Sequence, residues 1–173
     1  MARRFSLLVG HLCSVAFIVS LLAAAYFFVD IESFAEIARR NLALSVQWMT
    51  VDFWQWYGLW VLTLLHIGLG LAGLFYLRRA FLQFAQGEFF TRRNSQDLRM
   101  FAVLLFLQAL AKPLHHAFAS VLLSWNHPPG QRMLAISLGS FELKVLVLAM
   151  ILWVISDMLV RGRELEQENR QFV

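Results

Sequence analysis

Apolar side chains fill four runs of this chain almost without interruption, and the polar ones gather in the stretches between. The runs cover about 5–29, 53–77, 100–125 and 141–160, the last with an alternative start at 134. About twenty helical residues cross the roughly 30 Å of bilayer hydrocarbon, so each run is long enough to span it. No repeat, low-complexity tract or soluble insertion breaks the series. The pattern predicts an all-α, polytopic membrane protein, a four-transmembrane-helix bundle occupying 1–173 as one domain. The first run begins with Arg3 and Arg4 and carries Ala23, Ala24 and Ala25, as a signal peptide would. Its apolar stretch is longer than a signal core, which favours an uncleaved signal-anchor helix.

The stretches between the runs have patterns of their own. Across 31–50, Ile31, Phe34, Ala38, Leu42, Ser45 and Met49 share one helical face, with Glu32, Glu36 and Arg40 elsewhere. That arrangement predicts a short amphipathic outer helix lying on the membrane surface. Trp54, Trp56, Tyr57 and Trp60 then place an aromatic anchor at the start of the second span. The segment WNHPPGQR, 125–132, reads as turn chemistry, with His127 expected in solvent.

Composition supports the bilayer as solvent: 60% of residues are hydrophobic and 15% charged, too few polar groups to cover a soluble domain of this size. The formal charge of +4 matters less than its distribution. Arg3, Arg4, Arg78, Arg79, Arg92, Arg93, Arg99, Arg161, Arg163 and Arg170 fall on one side of the four spans, and Arg39, Arg40 and Arg132 on the other. Short loops rich in Lys and Arg stay in the cytoplasm, so both termini, a loop over 78–99 and a tail over 161–173 are expected there. Direct nucleic-acid binding is not expected. Cys13 is the single cysteine; it excludes an internal disulfide and is expected as a small buried thiol.

Two basic-side stretches carry a resemblance. LRRAFLQFAQGEFFTRRNSQDLRMFA, 77–102, shows an apolar-basic helix, a Gly-Glu-x-Phe-Thr turn and a basic restart. MLVRGRELEQENRQFV, 158–173, shows Arg-Gly-x-x-Leu, a Glu-Asn pair and an apolar-Val ending. Together they resemble the integral membrane family catalogued as domain of unknown function 2975. The resemblance implies a four-helix bacterial inner-membrane protein, often found beside a small helix-turn-helix regulator, and brings no catalytic residues with it. Within these stretches, Gly87 is expected to end a helix in the left-handed conformation and Thr91 to cap the next. Arg78, Arg79, Arg92 and Arg93 would meet anionic headgroups or a protein partner, while Phe89 and Phe90 pack the turn. Arg163, Leu165 and Phe172 mark the tail as a contact surface, and Glu166 and Arg170 stand four apart as a helix-supporting pair.

The third run contains polar residues that hydrocarbon rejects. Gln108, Lys112, His115 and His116 occupy one arc of a helix, and Pro113 interrupts its hydrogen-bonding. Charged groups at membrane depth turn inward and pair, so this stripe is expected to face the other helices. His66 lies on one face with Gly70 and Gly73, where another helix can approach closely. Glu142 is expected to neutralise Lys112 if the fourth helix starts near 134, and to be merely interfacial if it starts near 141. Three readings follow: a structural polar network, a ligand or proton site built from His66, Gln108, Lys112, His115, His116 and Glu142, or haem held by His66 with His115 or His116. No cofactor is expected on the first two.

Enzymatic motifs are missing: there is no His-Glu-x-x-His, Gly-x-Ser-x-Gly, cysteine pair or phosphate loop. Asp157 is expected to cap the helix or pair with Arg161 rather than to perform catalysis. The sequence therefore predicts a non-enzymatic membrane regulator or accessory subunit, in contact with lipid and a cytoplasmic protein and open to homo-oligomerisation. The competing expectation is a ligand-, proton- or haem-binding bundle.

Overall fold

Helix-forming apolar runs become helices here, but their ends fall where capping chemistry puts them. The computed structural model describes residues 2–42, 44, 46–87 and 91–171, with the backbone alone at 2 and 163–171. Among these described residues lie five α-helices: α1 (Ala2–Val29), α2 (Ile31–Leu42), α3 (Phe53–Ala85), α4 (Arg92–Leu123) and α5 (Ser140–Gln171). Four of them, α1, α3, α4 and α5, are long and apolar enough to cross a membrane. They pack side by side in chain order, α1 on α3, α3 on α4 and α4 on α5. The outermost two, α1 and α5, stand at opposite ends of the row, so the bundle is open.

The expected basic loop over 78–99 is mostly helix. α3 continues to Ala85 and α4 starts at Arg92, because Gly87 turns the chain at φ 86° and the Thr91 hydroxyl accepts the Asn94 N–H at 3.2 Å. Both capping expectations hold. Phe89 and Phe90 lie outside the described residues, as do Phe172 and the side chains of Arg163, Leu165, Glu166 and Arg170. At this end Asp97, 3% exposed, gathers α3 and α4: Arg79 Nε donates to it at 3.1 Å and Gln83 Nε2 at 2.8 Å.

At the opposite end the apolar face of α2 turns onto protein rather than outward. That face, Phe34, Ala35 and Ala38, is buried in one cluster with Leu44, Val46, Trp56, Leu59, Ala119 and Leu123. The end of the bundle offers α2 a drier surface than headgroups do, so the helix closes that end. It also stops at Leu42, and Met49, expected on its apolar face, is fully exposed on a short 3-10 turn, Trp48–Thr50; Ser45 lies outside the described residues. Trp56 is buried beneath Trp48 and the Arg39 guanidinium, while Trp54 stays exposed.

Asp30 starts α2. Its carboxylate accepts the Ser33 N–H at 3.1 Å and the Ser33 hydroxyl at 2.6 Å, satisfying a donor that the helix leaves unpaired. The Ser33 hydroxyl, first, and then the Ser33 N–H hold the carboxyl below its usual value. A lowered folded-state pKa means that the contribution is complete above the unfolded-state value and disappears as pH falls through the lowered one. Titration of the Asp30 carboxyl carbon by NMR is expected to show that lowered midpoint, and Asp30→Asn to remove the acid-induced loosening of α2.

The segment from Ser124 to Gly139 is not a plain turn. His127 is 4% exposed: its Nε2 accepts the Gln47 N–H at 3.2 Å and its Nδ1–H donates to the Gln131 carbonyl at 3.2 Å. The expectation of a solvated histidine fails because two backbone groups need this ring. Beyond Gly130, at φ 91°, residues 131–139 form neither helix nor strand. The chain is extended beside α4 where Met133 and Ala135, two residues apart, bond to Ser124 and Ser120, one helical turn apart. Leu134, Ile136 and Leu138 point outward; Met133 and Ala135 pack inward on the buried cluster.

Candidate functional site

The extended segment explains two of the four polar residues in the α4 stripe, His116 and Lys112. Backbone without helix or sheet partners is tolerated at membrane depth only where protein satisfies it. Ser124 Oγ accepts the Met133 N–H at 3.0 Å and Ser120 Oγ the Ala135 N–H at 2.9 Å. His116 places Nδ1 2.9 Å from the Ala135 carbonyl and Nε2 3.0 Å from the Leu42 carbonyl. Both nitrogens face backbone carbonyls, and the two bonds form together only when the ring carries two N–H groups; either way the ring is occupied by backbone, which takes His116 out of the set of candidate ligands.

Because this segment descends before α5 begins, Glu142 enters deep. α5 starts at Ser140, not near 134, yet Lys112 and Glu142 form an ion pair. The expectation that a late helix start would leave Glu142 interfacial is therefore corrected: the extended chain, not extra helix, delivers it. Lys112 lies about 16 Å along α4 from its end at Leu123. The second Glu142 oxygen accepts the Gly139 N–H at 2.8 Å, the reach of a third-position glutamate back to the residue before its helix. Glu142 is 3% exposed, whereas Lys112 is exposed at the edge of the bundle, against the expectation that it faces inward; its ammonium also lies 5.5 Å from the Phe141 ring centre. Asp157 makes no ion pair with Arg161 among the described residues.

The other half of the stripe faces α3. Thr63 Oγ1 gives its proton to the Leu59 carbonyl at 2.8 Å and lies 3.1 Å from His115 Nε2, so that nitrogen is the donor and Nδ1 the acceptor. The His115 and His66 rings are 5.8 Å apart, centre to centre. Gln108 sits over Gly70, where an added Cβ would lie 2.7 Å from its Nε2. The small-residue face of α3 thus admits α4 as expected, and α4 runs helical through Pro113. Two cavities meet here. One, about 410 Å³, lies over α3 between α1 and α4; the other, about 210 Å³, lies over α4 between α3 and α5. His66, Leu105 and Gln108 line both.

Of the six residues expected to form one site, His66, Gln108, Lys112 and Glu142 line the 210 Å³ cavity together, with Lys112 and Glu142 paired. His115 packs on His66 beside that cavity, and His116 is held by backbone. The signal that could have found the split is the serine spacing: Ser120 and Ser124 sit one turn apart on the same helix as His116. Arg78 donates to Ser14 Oγ at 2.7 Å and Arg79 turns inward to Asp97, while Arg92 and Arg93 remain exposed. Among the described residues no cluster of three or more His, Cys, Asp or Glu side chains is placed to hold a metal.

The fold and this buried polar chemistry define a multi-pass α-helical membrane protein whose spans contact lipid. No family model, curated protein or solved structure matches the chain.

Proposed function

We propose that this chain is a non-enzymatic protein of a bacterial inner membrane, with both termini and the α3–α4 turn in the cytoplasm. It acts as a regulator or accessory subunit that docks a cytoplasmic protein. The supporting observation is the length of α5. Lys112 lies about 30 Å from the start of α4, and its partner Glu142 about 44 Å from the end of α5. Running antiparallel, α5 extends about 14 Å past its neighbour at the arginine-bearing end. A helix of 32 residues is longer than the hydrocarbon needs, and its last stretch balances Arg161, Arg163 and Arg170 against Glu164, Glu166 and Glu168. A charge-balanced helix suits a protein surface better than anionic lipid. The family resemblance points to a helix-turn-helix regulator as the partner.

A photo-crosslinking amino acid at Glu166, in intact cells, tests this. The expected result is one cross-linked soluble protein that itself binds DNA, lost when the chain is cut after Gly162 while membrane insertion persists. Cross-links only to lipid, or a reporter at Val173 on the outer side, would remove the reading.

A further inference from the structure

Two polar side chains near the middle of the membrane have no hydrogen-bond partner among the described residues. His66 Nδ1 is buried without a hydrogen-bond partner, and the Gln108 amide makes no hydrogen bond among the described residues. Polar groups left in that position cost free energy unless something bonds them. Both line the 410 Å³ cavity, whose volume falls in the range of small-molecule sites. Its remaining wall is apolar, from Ile67, Leu74, Phe101 and Leu105 among others, with Ser20 the one further hydroxyl and no charged side chain. The open row of helices leaves the cleft between α1 and α4 without a covering span, so lipid-phase molecules reach it sideways. The nearest charges, Lys112 and Glu142, neutralise each other in the adjoining cavity.

We propose that this cavity binds a neutral single-chain amphiphile, its apolar tail along Leu74 and Phe101 and its hydroxyl or carbonyl head on His66 and Gln108. An imidazole and an amide offer both a donor and an acceptor, which suits an uncharged head. A carboxylate head would enter without a counter-ion and is disfavoured. This site is separate from the α5 extension, and its failure would leave the docking proposal standing.

The test uses the full chain in lipid nanodiscs with a monoacylglycerol carrying a diazirine in its acyl chain. Cross-links are expected to concentrate on α1, α3 and α4 around the cavity, and unlabelled monoacylglycerol to compete where the matching fatty acid at neutral pH does not. The double variant His66→Leu/Gln108→Leu loses two hydrogen bonds and is expected to cut labelling about tenfold. Leu74→Trp, which fills the cavity and keeps both polar groups, should cut it as well. Labelling spread evenly over lipid-facing positions, equal competition by the fatty acid, or unchanged labelling in both folded variants would overturn the proposal.

Discussion

Lys112→Met is expected to lower the thermal unfolding midpoint in lipid nanodiscs by about 5–10 °C, because it leaves the Glu142 carboxylate deep in the bundle without its cation. Glu142→Leu alone should do comparable harm, since it strands the ammonium and also frees the Gly139 N–H that starts α5. The double variant Lys112→Met/Glu142→Leu should recover much of the loss, because an apolar pair replaces two charges in a lipid-like medium. That ordering is the informative result. Single variants as stable as the parent would mean that the pair is not formed in the membrane. A double variant no better than either single would shift the weight onto the Glu142–Gly139 bond.

The second large effect is expected at Gln55, a fully buried side chain near the start of α3. Its Oε1 accepts the Asp52 N–H at 2.6 Å and an Asn126 Nδ2–H at 3.1 Å, and its Nε2 donates to the Leu122 carbonyl at 2.6 Å. One amide thus joins the start of α3, the end of α4 and the loop that follows. Gln55→Leu should cost about 2–4 kcal/mol, since the Asp52 N–H is left unpaired while Asn126 and the Leu122 carbonyl each lose one of their bonds. Gln55→Glu keeps the acceptors, loses the donor and should fall between. Hydrogen exchange should rise first in 46–52 and 124–131; protection there unchanged by Gln55→Leu would count against the assignment.

How much of this was legible in the sequence depends on which force set each feature. Spans follow from hydrophobic length, and Gly87 and Thr91 from local capping chemistry, so α1, α3, α4 and the α3–α4 turn were readable. The amphipathic period of α2 was readable as a helix with an apolar face, but not what that face covers. Phe34 and Ala38 are equally served by headgroups or by α3 and α4, and only packing decides. The extended segment 131–139 was the harder case. Leu134, Ile136 and Leu138 look like the start of a span, and hydropathy does not distinguish a helix from a strand-like run beside one. The residues that satisfy its backbone, Ser120, Ser124 and His116, lie in another run, so no local pattern shows the match. The same non-local bonding hid the division of the polar stripe: spacing placed Gln108, Lys112, His115 and His116 on one arc but carried no word of Glu142 for Lys112, Thr63 for His115 or backbone for His116.

The open row of spans has a bearing on how the molecule is made. Each membrane-crossing helix packs on the one synthesised before it, so every span leaving the insertion machinery finds its neighbour already in place. α1 and α3 can associate before α4 exists, and α4 before α5. The exception is Glu142, which must follow the extended segment down beside α4 before its charge is met. Biogenesis should therefore hesitate at one step, the arrival of the last span, and quality-control proteases should find their substrate there.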